Sequence, residues 1–179
     1  EAKVNNTIIR QANAADFVSI LRMNEESVHF LSPLIEEKLK HLDEECEMHL
    51  VAEKDGKINA FCLAFREGAD YDSVNYLWFQ KHYKKFLYVD RVVVDLSTRA
   101  AGLGKLLYDE VFKHAKATGV PIITAEIDVE PPNPVSLSFH EKFGFSEVGR
   151  QEVGRGKKVV SLQMSPCRLP DRLIKEKEI

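Results

Sequence analysis

The run of residues 86–104 constrains the fold more than any other stretch, because an unbroken apolar segment meets a glycine-containing turn and a helical pattern. The apolar residues of its first half are too continuous for a strand with one face in water, so they predict a strand covered on both faces. Gly102 and Gly104 then bracket a turn, and apolar residues follow at spacings of three and four. We therefore predict a central strand, a tight glycine loop and a helix in direct succession.

This junction has the properties of an anion site. The first backbone N–H groups of a helix have no partner within it, and the helix dipole places partial positive charge at that end. Glycine permits close approach of the backbone to a ligand, so residues 99–105 are a candidate cradle for a phosphate or diphosphate. The alternative is that the glycines serve backbone geometry alone. The spacing matches neither the dinucleotide-binding nor the P-loop pattern.

A second motif lies at residues 127–145, where a strand pattern leads into a short helical pattern. Read together with Arg99-Ala-Ala-Gly-Leu-Gly, it resembles the GNAT superfamily of acyl-CoA-dependent N-acetyltransferases, and bacterial members of unassigned substrate in particular. His140 stands where the family usually has tyrosine, and the two motifs together cover residues 88–145. The residues that fit the family's second motif are Ile127, Val129, Asn133, Ser136, Phe139, Gly144 and Phe145.

The resemblance implies an α/β (α+β) GNAT fold, with a mixed, mainly antiparallel sheet of six to seven strands flanked by about four helices. One domain is expected over residues 1–166, followed by a charged tail at 167–179. Asp55-Gly56 between two extended runs predicts a hairpin. Residues 66–85 hold the single tryptophan and are predicted to form a long irregular connection, whose rings either serve function or cap the core.

Composition excludes several classes of protein. Of the 179 residues, 44% are hydrophobic and 30% are charged, which is ordinary for a globular chain, and a net charge of −3 gives no support for nucleic-acid binding. Three widely spaced cysteines predict a reducing compartment, and the sequence shows no signal peptide or membrane span, so we expect a cytoplasmic protein without a membrane partner. His41, Cys46 and His49 fit no zinc spacing, so no metal is expected. Dimerisation is common in the superfamily, which makes a homodimer a further expectation.

The resemblance also implies the reaction, which is direct transfer of an acetyl group from acetyl-CoA to a primary amine of a small molecule or peptide. A backbone N–H near Val93 or Val94, where the central strands are expected to splay apart, is implied to stabilise the thioester oxygen. The alternative is a non-catalytic acyl-CoA-binding sensor or assembly module, which the unusual His140 keeps open. The residues implied to bind coenzyme A are Val92, Val93, Val94, Arg99, Ala100, Ala101, Gly102, Leu103, Gly104, Lys105, Asn133, Ser136 and Phe139.

An acceptor amine must lose a proton before it attacks, because an alkylammonium has a pKa of about 10.4. Asp128 is the first candidate base and Asp90 the second; the alternative for each is an ion pair, with Arg91 or with a cross-strand partner. His140 has three readings: an acid that protonates the leaving thiolate, a base for the amine, or a space-filler.

The acceptor side is implied to lie at the first two helices. The candidate substrate residues are Asn24, Glu25, Phe30, Tyr76 and Trp78, and the alternative for the helical ones is a solvated helix face. Acidic residues in those helices favour a cationic amine, whereas the ring-rich connection favours a flat or apolar acceptor.

Overall fold

The computed structural model describes residues 2–4, 6–27 and 31–167, with the backbone alone for Ala2–Val4 and for residues 99–101. Two 3-10 helices, Ala14–Asp16 and Leu96–Ala101, precede α1 and α4. The tail expected at 167–179 lies outside the described residues, except for Cys167. The helices and strands are β1 (Ala2–Val4), β2 (Thr7–Gln11), α1 (Phe17–Glu26), α2 (Glu36–Glu45), β3 (Met48–Lys54), β4 (Lys57–Arg66), α3 (Val74–His82), β5 (Leu87–Val94), α4 (Leu103–Thr118), β6 (Ile122–Glu130), α5 (Pro134–Lys142), β7 (Ser146–Val153) and β8 (Lys158–Pro166).

The strands form one sheet in the order β1-β2-β3-β4-β5-β6-β8-β7. The β5–β6 pair is parallel, whereas the pairs β1–β2, β2–β3, β3–β4, β6–β8 and β7–β8 are antiparallel. The expected class, a mixed and mainly antiparallel sheet flanked by helices, is therefore confirmed. Within the described residues the counts exceed the expectation, because β1 adds an eighth strand and α3 adds a fifth α-helix.

The chain divides into two compact units, and the first comprises Glu1–Phe65 and Val89–Val111. Its hairpin β3–β4 turns at Asp55 and Gly56, whose φ angles are 52° and 75°. Both angles are left-handed, as a tight hairpin turn requires, so the predicted Asp-Gly hairpin is confirmed.

Helix α1 packs on this unit through one apolar stripe. Its buried residues include Phe17, Ile20 and Met23, whose spacing of three places them on one face of the helix. Asn13 accepts a hydrogen bond from the Ala15 amide at 3.0 Å and so caps the turn that leads into the helix.

The second unit comprises Arg66–Tyr88 and Phe112–Ile179. The start of β5 runs parallel to β6, with Leu87 opposite Ile123, and β8 joins β6 to the edge strand β7. An aromatic cluster, with ring centroids 5.7 to 6.3 Å apart, forms part of the core of this unit. Its members are the fully buried residues Tyr76, Phe79, Phe86 and Tyr88.

The sequence suggested an irregular connection between β4 and β5, but this connection contains helix α3. Ser73 begins this helix by accepting a hydrogen bond from the Tyr76 amide. Tyr76 and Phe79 are completely buried, which supports the reading that these rings cap the core. Within the described part of the chain, no helix is long and apolar enough to span a membrane.

Candidate active site

The predicted glycine loop is a junction between two helices. The 3-10 helix Leu96–Ala101 ends at Gly102, which has φ 71° and ψ 21°, and α4 begins at the next residue. The bond from the Leu106 amide to the Gly102 carbonyl, at 3.2 Å, starts the helical ladder. By helix geometry, the three amides before Leu106 have no carbonyl to bind within α4 and lie at its positive end.

This junction fits a diphosphate such as that of coenzyme A. Apart from Gly102 and its two chain neighbours, no heavy atom of the described residues lies within 4 Å of the place where a Cβ on Gly102 would sit, so the backbone is approachable there. The left-handed φ of Gly102 is one that side chains other than glycine rarely adopt. Helix N-terminal amides are suitable donors for phosphate oxygens.

The side chains around the junction contribute less than the amides. The ammonium group of Lys105 lies 2.8 Å from the carboxylate of Asp109, and both side chains are largely exposed, so its charge is shared with an acidic neighbour. Leu103 is buried. The side chains of Arg99, Ala100 and Ala101 lie outside the described part of the structure.

Sequence reasoning missed Asp95, which precedes the 3-10 helix and is 7% exposed. Its Oδ1 accepts hydrogen bonds from the amide of Ser97 at 3.0 Å and from the Ser97 hydroxyl at 2.8 Å. These bonds, with the Arg22 guanidinium at 3.1 Å, lower the pKa of Asp95 to about 2. An acidic residue two positions before a serine is a recognisable capping signal.

Asp90 is held in an ion pair inside the first unit. The Nε of Arg91 donates to Oδ2 of Asp90 at 2.7 Å, and the two side chains are only 3% and 4% exposed. The alternative foreseen for Asp90, a salt bridge with Arg91, is therefore present in the structure. On the same strand Val93 is buried, whereas Val92 and Val94 are half-buried.

Asp128 also has a cation beside it. The ammonium group of Lys158, on the neighbouring strand β8, lies 3.3 Å from Oδ2 of Asp128. This is the cross-strand partner that was the alternative to a catalytic role. The Asp128 side chain is 12% exposed, so it is close to solvent but not freely mobile in it.

A second carboxylate on β6 was missed by sequence reasoning. Glu126 accepts a hydrogen bond of 2.6 Å from the hydroxyl of the buried Tyr88. Because alternate residues of a strand point to the same face, Glu126 and Asp128 share one face of the sheet with Thr124. Polar residues at every second position of β6 were the signal in the sequence.

Helix α5 carries the other predicted cofactor residues. Asn133 caps the helix, because its side-chain oxygen accepts a hydrogen bond from the backbone amide of Ser136 at 3.3 Å. The backbone amide of Asn133 donates to the Asp128 carbonyl at 3.1 Å. The rings of Phe139 and His140 lie 5.5 Å apart in edge-to-face contact. The structure therefore brings Asp128, Asn133, Ser136 and His140 into one short segment of the second unit.

His140 is buried at 8% exposure, and its Nδ1 lies 2.7 Å from the carbonyl oxygen of Ser136. A carbonyl only accepts, so Nδ1 carries the proton and donates it. Burial lowers the pKa of His140, although the hydrogen bond to Ser136 opposes that shift. The ring is therefore neutral at pH 7, and Nε2 is its unprotonated nitrogen.

The substrate candidates differ in their surroundings. Asn24 is 1% exposed and uses both ends of its amide, since it accepts from Arg91 Nη1 at 2.9 Å and donates to the Ser32 carbonyl at 3.1 Å. Glu25 is exposed on α1, and Phe30 lies outside the described residues.

Tyr76 has the contacts of a core residue. Its hydroxyl donates to the Arg66 carbonyl at 2.7 Å and accepts from the Ala69 amide at 3.0 Å. Trp78, by contrast, is half-buried and stacks on His82 with ring centroids 3.8 Å apart.

In the described ranges, no group of three His, Cys, Asp or Glu side chains could hold a metal ion. Instead His49, whose side chain is fully buried, binds the Asp43 carboxylate at 2.6 Å, and Cys46 binds the Asp43 carbonyl. All three cysteines are free.

Several solved structures share this fold. The ribosomal-protein-S18-alanine N-acetyltransferase of Escherichia coli matches with a TM-score of 0.68 and 15% identity, covering 92% of this chain and 96% of that one. Ard1 from Thermoplasma volcanium has a TM-score of 0.76 and 14% identity, covering 91% and 99%. The protein yncA of Salmonella typhimurium, solved with its cofactor acetyl-CoA, has a TM-score of 0.68 and 18% identity, covering 93% and 99%. At these identities the likeness shows the fold.

No curated protein is significantly similar in sequence to this chain. A family model does match it, over residues 14–145, and that family is described as the acetyltransferase (GNAT) family. The matched range contains the α4 junction as well as Asp128, Asn133 and His140. Members of the family use acetyl-CoA. From the matched range and the shared fold together, we conclude that this chain belongs to the GNAT family of acetyltransferases.

Proposed function

We propose that this protein transfers an acetyl group from acetyl-CoA to a primary amine of a small molecule or peptide by direct transfer. One observation carries the proposal. In a chain of this family, the left-handed Gly102 stands at the N-terminus of α4, whose first three amides have no carbonyl to bind within the helix and point toward a diphosphate site.

Cofactor contacts are proposed within each unit by itself. In the first unit, the amides of residues 103–105 would bind the diphosphate, and a backbone N–H near Val93 or Val94 would polarise the thioester carbonyl. Within the second unit, Asn133 stays a prediction from the family motif, as a contact of the cofactor's pantetheine arm. The groove lined by Pro134, Val135, Ser138, Phe139 and Lys142 supports a further contact there, since it combines apolar surface with one ammonium group. When bound, acetyl-CoA supplies a thioester that an amine can attack.

Asp128 is the proposed base for the acceptor. Its carboxylate is oriented by Lys158 and sits at a strand end close to solvent, where an incoming amine has access. Asp90 suits this role less well, because it is buried against Arg91 and removing a charge from such a pair is costly.

His140 is proposed as a second proton acceptor. With its proton held at Nδ1 by the Ser136 carbonyl, the neutral ring can take a proton at Nε2 but has none to give from that atom. This geometry favours the base among the three readings of His140. The thiolate would then leave without an imidazolium donor.

The test is release of coenzyme A thiol across a panel of amines and short peptides, with acetyl-CoA binding measured in parallel. We expect one acceptor class to give turnover, and Asp128→Asn to lower kcat by about 100-fold without weakening acetyl-CoA binding. A matched control is Asp72→Asn, which removes an exposed carboxylate elsewhere in the second unit. An Asp128→Asn enzyme with the rate and pH profile of the unaltered protein would remove Asp128 from the mechanism.

The competing candidate is an acyl-CoA-binding sensor without turnover. The observation in its favour is that both candidate bases, Asp90 and Asp128, are next to cations. Binding of acetyl-CoA with no thiol release for any amine would favour it. A homodimer remains a prediction, which sedimentation of the full chain would test.

A further inference from the structure

Asp95 directly follows β5 and precedes the 3-10 helix that leads to the α4 junction. Nearly every polar atom of this residue makes a hydrogen bond or an ion pair. Its amide donates to the Asn59 carbonyl at 2.8 Å, and its own carbonyl accepts from the Thr98 amide at 3.0 Å. Its carboxylate accepts from the amide and hydroxyl of Ser97. The residue thus fixes the first turn of the six-residue 3-10 helix that leads to Gly102.

Helix α1 reaches the same carboxylate. The Nη2 of Arg22 lies 3.1 Å from Oδ2 of Asp95, while Nη1 of the same guanidinium binds Glu26 at 3.0 Å. The Arg22 side chain is 45% exposed and the Asp95 side chain is 8% exposed. Arg22 therefore neutralises a shielded negative charge at the start of the 3-10 helix that leads to Gly102, and it ties α1 to the start of that helix.

We propose that Asp95 is a positioning residue for coenzyme A, because it sets the 3-10 helix so that the α4 amides face the diphosphate. Arg22 offsets the negative charge of the Asp95 carboxylate. The proposal rests on the assignment of the diphosphate to this junction. Asp95 contacts no reacting atom. It acts through the backbone of residues 96–102.

Capping and charge make separable predictions. Asparagine caps a helix almost as well as aspartate but carries no charge, whereas alanine neither caps the helix nor carries a charge. Asp95→Ala should therefore weaken coenzyme A binding by about tenfold, and Asp95→Asn should stay within about twofold of the unaltered protein. Arg22→Met leaves the carboxylate without its guanidinium, so we expect a loss of about threefold to fivefold at low salt, and a smaller loss at high salt.

The experiment is calorimetric titration of the full-length protein with coenzyme A, for each variant after its circular dichroism spectrum has verified folding. Glu26→Gln is the matched control, because it removes the other partner of Arg22 and should leave the Kd within about twofold. The double variant Arg22→Met with Asp95→Asn should bind as Asp95→Asn does, since the charge that Arg22 offsets is gone.

The outcomes separate this inference from the proposed function. If the unaltered protein binds coenzyme A, a folded Asp95→Ala variant of equal affinity overturns the positioning role. Equal weakening in the alanine and asparagine variants also overturns it, because charge rather than capping would then matter. If Asp95→Ala does not fold, Asp95→Glu takes its place, because glutamate keeps the charge but is a poor cap, and a folded Asp95→Glu variant of unaltered affinity overturns the positioning role. If the unaltered protein binds no coenzyme A, the diphosphate assignment and this inference both fail.

Discussion

At the scale of single residues, His140 has a protonation state that its neighbours determine. The Ser136 carbonyl holds the proton at Nδ1, and burial keeps the pKa below its ordinary value of 6.5. The side chain is thus a neutral acceptor over the physiological range. A tyrosine at this position would be protonated at neutral pH, because its pKa is about 10, so it could give up a proton but not take one up.

We predict that His140→Phe lowers kcat by about 100-fold with the best amine of the panel, because a general base contributes on that order, while the Kd for acetyl-CoA changes by less than about twofold. The rate of the unaltered enzyme should be constant from pH 8 down to about 6.5, and fall below that as His140 takes up a proton. Thiol release measured across this range checks both points. A His140→Tyr variant as fast as the unaltered protein would contradict the acceptor role.

Arg91 and Asp90 form a second residue-level feature with a measurable consequence. Arg91→Met leaves the Asp90 carboxylate buried without the guanidinium that donates to it, so we expect the free energy of unfolding to drop by about 3 kcal/mol. Adding Asp90→Asn should recover a large part of the loss, because no uncompensated charge remains. Urea unfolding of the two variants measures this. An equal or larger loss in the double variant would show that the pair is not what stabilises this region.

At the scale of elements, α3 lies against the edge strand β7 through Trp78 and Gly149. A Cβ built on Gly149 would come within 2.6 Å of Cζ2 of Trp78, which is closer than real contacts allow. Gln151 reaches the same helix, because its side-chain amide donates to Asn75 at 2.7 Å. The glycine therefore sets how closely helix and strand approach.

We predict that Gly149→Ala lowers the free energy of unfolding by about 1 to 3 kcal/mol, since overpacking forces the indole ring to move. The matched control is the same substitution in a Trp78→Ala background, where the clash is absent and the cost should shrink below about 0.5 kcal/mol. Thermal and urea unfolding report both values. A cost that is the same in both backgrounds would place its origin in the strand rather than in the contact.

The elements also show what local sequence patterns can and cannot determine. The central strand, the Asp55-Gly56 hairpin and the start of α4 follow from period, turn chemistry and glycine placement, all of which act over a few residues. Helix α3 was missed because its rings surround the helix rather than marking one face. The Arg22–Asp95 and Asn24–Arg91 contacts join residues 73 and 67 positions apart, and only folding brings them together.

At the scale of the whole molecule, the groups whose pKa values change on folding predict how the free energy of unfolding depends on pH. Burial lowers the pKa of His49 and of His140, so these two rings stay neutral in the folded state at pH values where they take up protons in the unfolded chain. The pKa of Asp95 is lowered to about 2, and hydrogen bonding to Arg10 lowers that of Asp16. In each case the unfolded state binds more protons as pH falls, so acid destabilises the fold.

We therefore expect the free energy of unfolding to fall in two steps. The first begins below pH 6.5, the ordinary histidine value, and the second lies between about pH 4 and pH 2, from the carboxylates. Urea unfolding at intervals of pH measures the curve. The Asp95→Asn variant should lose less than the unaltered protein in the second step, and equal losses would remove Asp95 from the account.

The most direct test of the account is hydrogen–deuterium exchange of the intact protein with and without coenzyme A. The central claim is that the diphosphate binds the amides at the start of α4, so exchange at Leu103, Gly104 and Lys105 should slow by about tenfold or more at saturating ligand. An exposed stretch such as residues 154–157 should exchange at an unchanged rate. Saturable binding that leaves the three α4 amides as fast as in the free protein would contradict the claim.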